Sequence, residues 1–528
     1  MTAAWPSRNG QFLVIRREEP IASGAVRHVL SRHAIDTFGG LSITAVHERT
    51  GRIVGAILGN AIDLDRGLLS VATHVNENID YNTVDNWVER NIYSLTGSFI
   101  FVLDIPHCSR IYLDADGTKS LVYDRSRKVA GATAMTLLDP HEYSNRLQTE
   151  LHRKLGVSQA GWFPAGLTAH KGIYRLTCNH YLDLDSWASH RHWPSEPIAM
   201  STDPMTTFDD VLVRIRRTVE VLQRSGTVKI ALTAGTDSRF VLSALRPIAS
   251  AVQAVTVAAP SGGLDVHTAR HLARELNLRH EVLPYRIATQ AQTLGWQVRA
   301  GHCISGANMT MHPSVYPLRG SYFLGGLGGE VGRGFLWLGA DDQTPIDASG
   351  ITARLKLPRE PQVVQAVARW LEPIDSFDTL LKLDLAYLEL RMSSWAFSDS
   401  YANPVETELH PMISRANFAA MLSIPPEMRR DGRVFRDAIS RSWPELLSIP
   451  INRYGNWRDF TKRIKDVAAD PRRAARKLRQ IALRYRKAFL TNLNAAGIVG
   501  RSSLMTLAAS TICLRRGQNS SAAKPKTD

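Results

Sequence analysis

The chain has 528 residues, of which 44% are hydrophobic and 8% aromatic, so a disordered or fibrous protein is excluded and two or more domains are possible. Its net charge is +15, but residues 1–457 carry 47 basic against 45 acidic side chains, which argues against a nucleic-acid-binding body. Four widely spaced cysteines exclude a disulfide scaffold. No apolar run reaches the ~18 residues of a membrane span, and no secretory signal is visible. We therefore expect a soluble cytoplasmic protein.

Residues from about 10 to 200 have the pattern of short strands separated by turns. The segments are rich in Val, Ile, Phe and Tyr, and Gly, Asp or Asn residues bound them. They are FLVI (12–15), LSITAVHE (41–48), RIVGAILG (52–59), GSFIFVLD (97–104), RIYLDAD (110–116) and SLVYD (120–124). This pattern predicts a β-rich, layered first domain over residues 1–200.

The pattern changes at about residue 205. Apolar residues at helical spacing predict an amphipathic helix over 208–226, and VKIALT (228–233) is typical of a parallel strand buried on both faces. A helix (238–246), a strand (251–259), a helix (265–278) and a strand (279–284) follow, and mainly helices are predicted beyond about 350. The alternation predicts an α/β domain with a doubly wound parallel sheet.

The first strand–helix junction of this second part is LTAGTDSR (232–239). Gly235 is expected to adopt a backbone conformation closed to other residues, and Asp237 and Ser238 are expected to cap the helix. Unpaired N–H groups and the helix dipole attract a phosphate at such a start, and Asp237 is suited to hold Mg²⁺ between phosphate oxygens. From the residues alone, an ordinary capped strand–turn–helix is the alternative.

TAGTDSR resembles the SxGxDS pyrophosphate loop of the ATP-pyrophosphatase superfamily, with Thr233 in place of the first serine. LTGSFIFVLD and RIYLDADGTKSLVYD, within 95–124, are similar to the amino-terminal glutaminase domain of asparagine synthetase-like proteins, and residues 161–187 are similar to the end of that domain. The resemblance implies an Ntn-hydrolase-like layered domain over 1–200 and a pyrophosphate-loop domain with a helical carboxyl-terminal part over 205–457. A basic segment over 458–528 would follow.

Members of this family activate a carboxylate with ATP as an acyl-adenylate, release pyrophosphate and let an amine or ammonia attack to form an amide. The resemblance therefore implies ATP and Mg²⁺ as cofactors, and a small-molecule or peptide carboxylate and an amine donor as partners. The residues it assigns to ATP or pyrophosphate are Thr233, Ala234, Gly235, Thr236, Asp237, Ser238, Val257 and Gly326. Asp265 is a further candidate for ribose, for a second metal or for a helix N-cap.

A second family motif, S-G-E-G-x-D-E-x-F-G-G-Y, corresponds here to YFLGGLGGEVGRGF (322–335). Its glycines and Glu330 fit, which makes Glu330 a candidate catalytic residue and Mg²⁺ ligand, whereas Leu327 stands where the family has a glutamate. Arg333 is an addition that is expected to bind a phosphate or a substrate carboxylate through its planar fork. A tight turn against the sheet is the alternative interpretation.

Further departures from the family concern the glutamine-hydrolysing half-reaction, the late catalytic lysine and the helices on the side of the acceptor substrate. Thr2 replaces the nucleophilic cysteine, so the glutaminase-like domain is expected to be inactive. The family's late catalytic lysine has no counterpart; Arg453 is the nearest basic candidate, able to stabilise charge but not to act as a base, with a structural salt bridge as its alternative role. Glu389, in a segment that resembles the family's acceptor-side helices, is either a substrate contact or a surface residue.

Residues 458–528 contain 17 Lys and Arg against 4 Asp. Within 471–487 the apolar residues recur at helical spacing, which predicts a basic helix. That helix is either a solvated cap or a contact for an acidic partner or a membrane surface. The sequence does not decide whether the protein forms a homodimer. Neither a nucleic-acid partner nor a transmembrane segment is expected.

The sequence therefore predicts an ATP-dependent amide-forming ligase of the asparagine synthase type that does not hydrolyse glutamine. The alternative is a catalytically degenerate nucleotide-binding or scaffold protein of the same family, which the changes at Leu327 and Thr2 and the missing lysine favour. RNA binding through the basic tail is a third hypothesis, and the near-neutral body argues against it.

Overall fold

The computed structural model describes residues 5–337, 344–402, 407–454 and 459. Residues 1–453 form one compact unit, and residues 454–528 are assigned to a second. Thr2 and the predicted basic helix over 471–487 lie outside the described residues. Within those described ranges, every helix is too short or too polar to span a bilayer.

In the first part of the chain, the described residues form fourteen strands and four α-helices. The strands are β1 (Phe12–Arg16), β2 (Val26–Val29), β3 (His33–Thr37), β4 (Ile43–His47), β5 (Ile53–Asp63), β6 (Gly67–Leu68), β7 (Val71–His74), β8 (Thr96–Ile105), β9 (Cys108–Leu113), β10 (Val122–Asp124), β11 (Val129–Gly131), β12 (Tyr174–Arg175), β13 (His180–Asp183) and β14 (Ser189–Arg191). The helices are α1 (Val84–Asn91), α2 (Ala134–Leu137), α3 (Pro140–Arg146) and α4 (Thr149–Lys154).

These strands build two sheets. One has the order β12-β10-β11-β1-β3-β2; the other has the order β14-β13-β9-β8-β5-β4-β7, with β6 beside β5. All pairs are antiparallel except β4 with β7. Alternation along β8 separates two cores, because Phe99 and Phe101 pack with Trp87 of α1 while Ile100 and Val102 join the main core. The prediction of a β-rich, layered first part is confirmed.

The second part contains a five-stranded parallel sheet. Its strands are β15 (Val228–Ala231), β16 (Gln253–Val257), β17 (His280–Leu283), β18 (Tyr322–Leu324) and β19 (Thr407–Leu409). Their order is β17-β16-β15-β18-β19, and every pair is parallel. The chain order therefore reverses between β15 and β18, and such a switch point leaves a crevice at the carboxyl ends of the strands. The predicted parallel sheet is confirmed.

The second part also contains helices, which make up most of the described residues beyond 344. They are α5 (Pro204–Ser225), α6 (Thr236–Ala244), α7 (Gly263–Glu275), α8 (Gln290–Arg299), α9 (Ala307–Met311), α10 (Ala348–Arg354), α11 (Pro361–Leu371), α12 (Thr379–Leu385), α13 (Ser393–Ala402), α14 (Arg415–Leu422), α15 (Pro426–Arg429) and α16 (Arg433–Ser442). A π-helical segment (Ala386–Met392) joins α12 to α13. The amphipathic pattern of α5 is confirmed, because the side chains of Phe208, Val211 and Ile215 are fully buried.

Candidate functional site

The predicted pyrophosphate loop connects β15 to α6 at the switch point of the parallel sheet. Inside the loop, Thr233 Oγ1 lies 2.8 Å from Ser238 Oγ. The backbone N–H of Ala234 donates to Asp265 Oδ1 at 2.9 Å. Helix α6 begins at Thr236 without a side-chain cap, so its first N–H groups, which have no partner inside the helix, are available to an anion.

Two local expectations for this region are wrong, and one of the alternatives for Asp265 is excluded. Gly235 is the N-cap of α6, with φ −77° and ψ 167°, a conformation that any residue can adopt. Asp237 and Ser238 are the second and third residues of α6, and Ser238 Oγ accepts the N–H of Thr233 at 3.1 Å. Asp265 does not cap α7 either, because the N-cap of α7 is Gly262. Its carboxylate holds the pyrophosphate loop instead.

Arg239, the last residue of the motif, supports the loop from the protein interior. Its side chain is fully buried, and it donates to the carbonyls of Leu446 at 3.0 Å and Ala234 at 3.2 Å. The N–H of Asn452 donates to the same Ala234 carbonyl at 2.9 Å. Burial lowers the pKa of Arg239 to about 10, so the guanidinium is still charged at neutral pH. The chain just before residue 453 is thereby attached to the loop.

The glycine-rich loop after β18 lies directly against the start of α6. A Cβ atom at Gly329 would lie 2.1 Å from Asp237 Oδ1, and one at Gly326 would lie 3.1 Å from the Ser238 nitrogen. Any larger side chain at Gly329 would displace the carboxylate, so glycine is required there for the close approach. The two motifs that the sequence singled out are therefore in direct contact.

Arg333 lies between the two acidic residues of these loops. Its Nη2 atom is 2.8 Å from Asp237 Oδ1 and 2.7 Å from Oδ2, and 3.9 Å from Glu330 Oε1. Burial raises the pKa of the Asp237 carboxyl; the guanidinium of Arg333 opposes this rise, and the negative charge of Glu330 adds to it. The predicted candidates Asp237, Glu330 and Arg333 thus form one cluster.

The donor atoms of this cluster fit Mg²⁺. Glu330 Oε2 is buried and has no hydrogen-bond partner among the described residues, which leaves one carboxylate oxygen for a cation. In the part of the chain that the structure describes, no three His, Cys, Asp or Glu side chains converge as a metal site. Mg²⁺ uses one or two carboxylates and takes its other ligands from substrate oxygens and water. Binding at Asp237 requires the guanidinium of Arg333 to move.

A cavity of about 530 Å³ opens beside the pyrophosphate loop. Thr233 and Asp265 line it on the loop side, and Val257 belongs to its wall at the end of β16. The apolar part of the wall consists of Val255, Val257, Met311, Leu318 and Phe323. The polar part consists of Asn60, Ser98, Lys119, Glu408 and His410. The cavity therefore offers an apolar surface for a flat ring and hydrogen-bonding groups at another side.

Two ionisable groups of the cavity were not found from the sequence. Burial raises the pKa of Glu408 to about 7. Burial lowers the pKa of Lys119 to about 8, and the nearby Asp114 opposes this shift. Both residues lie in segments that carry the family resemblance. Their burial in one cavity depends on the packing of β5, β8 and β19, for which no local pattern gives a signal.

Glu389, predicted to contact substrate, lies outside this cavity. Its side chain is fully buried and accepts hydrogen bonds from Arg191 at 2.6 Å, Asn179 at 3.0 Å and Trp370 at 2.6 Å. Burial alone would raise the pKa of Glu389, but Arg191 and the hydrogen bonds hold it below its ordinary value. The carboxylate therefore connects the π-helical segment to β14 and is not a surface group.

Arg453 lies at the exposed end of the segment that contacts the pyrophosphate loop. Its N–H donates to the Pro450 carbonyl at 3.4 Å, and its side chain is exposed. The preceding residue, Asn452, has its Oδ1 atom 3.9 Å from the position of a Cβ at Gly235. The catalytic role predicted for Arg453 stays a prediction.

Comparison with solved structures finds partial likenesses. The NH3-dependent NAD synthetase from Campylobacter jejuni is 16% identical, with a TM-score of 0.17, over 33% of this chain and 76% of that one. NMN synthetase from Francisella tularensis is 12% identical, with a TM-score of 0.17, over 38% and 94%. The U34-tRNA thiolase from Methanococcus maripaludis is 11% identical, with a TM-score of 0.18, over 48% and 84%.

No protein-family model matches the chain. No curated protein matches it either. At identities and TM-scores this low, the three likenesses carry no argument about what this chain binds or makes. A functional assignment has to rest on the residues of the site.

Proposed function

We propose that this protein is an ATP-dependent ligase that activates a carboxylate as an acyl-adenylate, releases pyrophosphate and passes the acyl group to an amine or to ammonia. The observation that supports this proposal is the position of the TAGTDSR loop. It lies at the switch point of a parallel sheet, where ligands of such sheets bind, and it borders a cavity of about 530 Å³.

The two sides of the loop would bind different parts of the nucleotide. The adenine ring would lie against the apolar wall near Val257, and the phosphates would accept hydrogen bonds from the N–H groups that begin α6, over Thr236 to Ser238. Asp237 and Glu330 would hold Mg²⁺, which would neutralise negative charge on the leaving pyrophosphate. Once Arg333 leaves Asp237, its fork is available to phosphate oxygens. Arg239 keeps the loop in place throughout.

We extend the proposal to the remaining parts of the chain. The two antiparallel sheets over residues 1–200 would be a glutaminase-like, Ntn-type layered domain without activity, since Thr2 stands in place of the nucleophile. Residues 205–457 would be the synthetase domain, and residues 458–528 a basic segment for an acidic partner or a membrane surface. The nitrogen would then come from an amine or from ammonia in the cytoplasm.

A second candidate function is nucleotide binding without catalysis. It is favoured by the guanidinium of Arg333, which bonds to both oxygens of Asp237 and so competes with a metal ion. Leu327, in place of a family glutamate, favours it as well.

Two measurements separate these candidates. The first is ATP binding with and without Mg²⁺, and the second is exchange of labelled pyrophosphate into ATP over a panel of carboxylic acids. Both are made on the wild type, on Asp237→Ala and on the exposed-site control Asp210→Ala. Binding and exchange that are lost only in Asp237→Ala support the ligase. Binding without exchange for any acid supports the second candidate, and absence of binding in the wild type contradicts both.

A further inference from the structure

The polar wall of the cavity contains a buried lysine whose ammonium group forms no direct ion pair with a described residue. Lys119, in the hairpin between β9 and β10, is 8% exposed and lines the cavity. Its Nζ atom lies 5.1 Å from the ring centroid of Tyr401. With the residues that the structure describes, this ammonium forms no hydrogen bond and no ion pair. Burial of a charge without a hydrogen-bond partner is costly, and an anion bound in the cavity would offset that cost.

The surrounding chain is shaped to admit this side chain. A Cβ atom at Gly59 would lie 2.6 Å from the Cε atom of Lys119, so the lysine stem passes over a position that only glycine can occupy. The nearby carboxylate of Asp114 is engaged by the backbone. Its Oδ2 accepts the N–H groups of Phe99 and Lys119, both at 3.0 Å, and its Oδ1 accepts the N–H of Thr118 at 2.9 Å.

A second donor beside Lys119 also lacks a partner. Ser98 Oγ is buried, has no hydrogen-bond partner among the described residues and lines the same cavity. Asn60 pairs with Ser98 across β5 and β8 and lines the cavity as well. An ammonium, a hydroxyl and an amide NH2 group supply donors, and a carboxylate offers two oxygens with about four acceptor positions.

We propose that Lys119, Ser98 and Asn60 bind a carboxylate of the ligase substrate, so that the antiparallel sheet serves in substrate recognition. This inference rests on the proposed function and names the substrate class, a small acid with a free carboxylate at the polar wall of the cavity. A phosphate of the nucleotide has the same anionic oxygens. The pyrophosphate loop, however, offers phosphates its own N–H groups and Arg333, so we assign the lysine to the acid.

The test compares Lys119→Met and Ser98→Ala with the exposed-lysine control Lys171→Met. Binding of a non-hydrolysable ATP analogue is measured by calorimetry. The analogue is then kept at saturation while the twenty amino acids and two- to six-carbon mono- and dicarboxylic acids are titrated one by one. Lys119→Met is expected to weaken an acid that binds the wild type by ten- to a hundredfold, the range for a charge-assisted hydrogen bond. Ser98→Ala is expected to weaken it by about three- to tenfold.

In the same variants the affinity for the ATP analogue is expected to change by less than about twofold, because a substitution that does not touch the nucleotide changes its binding free energy by only a few tenths of a kcal/mol. Equal acid binding by wild type and Lys119→Met overturns the inference, as does absence of acid binding in the wild type. A loss of analogue affinity equal to the loss of acid affinity would assign the lysine to a phosphate instead. Lys119→Gln replaces Lys119→Met if the latter loses its near-ultraviolet circular dichroism. Analogue binding that fails in the wild type contradicts the proposed function alone, because acids are also titrated without the analogue.

Discussion

At Asp237, the guanidinium of Arg333 is the positive partner of the carboxylate at the position where Mg²⁺ is predicted. Arg333 and Asp237 are 24% and 21% exposed, so their ion pair is partly shielded from water and from salt. The pair holds the glycine-rich loop on α6, and the same contact places a fixed positive charge at the predicted Mg²⁺ position. A cation that enters has to compete with it.

Arg333→Met tests this competition. We expect the variant to bind Mg²⁺ more tightly in the presence of the ATP analogue, because the competing charge is absent, and to lose about 1–2 kcal/mol of unfolding free energy because Asp237 keeps no counter-ion. Calorimetry and urea unfolding measure the two effects. Arg433→Met, which removes an exposed pair with Asp437 at 3.6 Å, is the control and is expected to change stability by less than about 0.5 kcal/mol. Unchanged or weaker Mg²⁺ binding contradicts the prediction.

The buried ammonium of Lys119 has a consequence for stability that depends on pH. Burial lowers the pKa of this lysine from its ordinary value of 10.5 to about 8 in the folded protein, so the unfolded chain binds the proton more tightly. Below pH 8 the full cost of burying the charge is present, and it is relieved as the pH rises from 8 to 10.5. The folded protein therefore gains stability from this residue over that pH range.

Lys119→Met removes the cost at every pH. We expect the variant to be more stable than the wild type by about 3 kcal/mol at pH 7, and the difference to shrink as the pH approaches 10.5. Urea unfolding at pH 7, 8.5 and 10 measures it, with Lys171→Met as the control that shows no such trend. A difference that is independent of pH would show that the ammonium is not buried as described.

At the scale of the elements, a buried ion pair attaches the glycine-rich loop to the helical part of the chain. Arg429 of α15 donates to Asp384 Oδ2 at 2.7 Å and to the Val331 carbonyl, and both side chains of the pair are at most 3% exposed. Burial raises the pKa of Asp384 to about 7, and the charge of Arg429 opposes this rise. The loop that carries Glu330 is thus held by α15 as well as by α6.

Arg429→Leu is expected to lower the free energy of unfolding by about 3–5 kcal/mol, since it leaves a buried carboxylate and a carbonyl without a donor. The double variant with Asp384→Leu is expected to regain a large part of this loss, because the carboxylate is then removed as well. Urea unfolding of the wild type, the two single variants and the double variant gives the four unfolding free energies of this double-mutant cycle. If the double variant is less stable than Arg429→Leu, the pair does not account for the effect.

For the molecule as a whole, the segment between α16 and residue 453 connects the end of the compact unit to its pyrophosphate loop. Carbonyls of Leu446, Ile449 and Pro450 accept hydrogen bonds from the buried Arg239, and Asn452 donates to the loop. Residues 1–453 form the compact unit that contains the cavity and both loops. We therefore expect folding, and the nucleotide binding proposed above, to require the chain up to this point.

Two truncated chains test this requirement. A chain of residues 1–454 is expected to unfold cooperatively and to bind the ATP analogue within about twofold of the full chain, since it keeps every described residue of the candidate site. A chain of residues 1–445 is expected to lose at least about 3 kcal/mol of stability, because Arg239 then remains buried and charged without these carbonyls. Thermal unfolding and calorimetry compare the two. Equal stability of both chains would contradict the role of Arg239.

The elements themselves could largely be predicted from the sequence, because strand alternation and helical spacing are local patterns. The strands β1, β5 and β8, the helix α5 and the βαβ alternation from β15 to β17 were all predicted. The three-residue strand β19 was not, since so short a segment has no periodicity. Its place beside β18 is decided by the sheet alone.

The same division applies to the site. The local sequence alone identifies Thr233 to Ser238 and the glycine-rich segment as candidate site loops, because their residue types are unusual within a short stretch. Only the tertiary structure decided that Arg333 pairs with Asp237, that Glu389 is a buried ion-pair partner and that Lys119 lines the cavity. Each of these facts depends on a contact between residues far apart in the chain, and burial and electrostatic pairing across such distances leave no trace in local spacing.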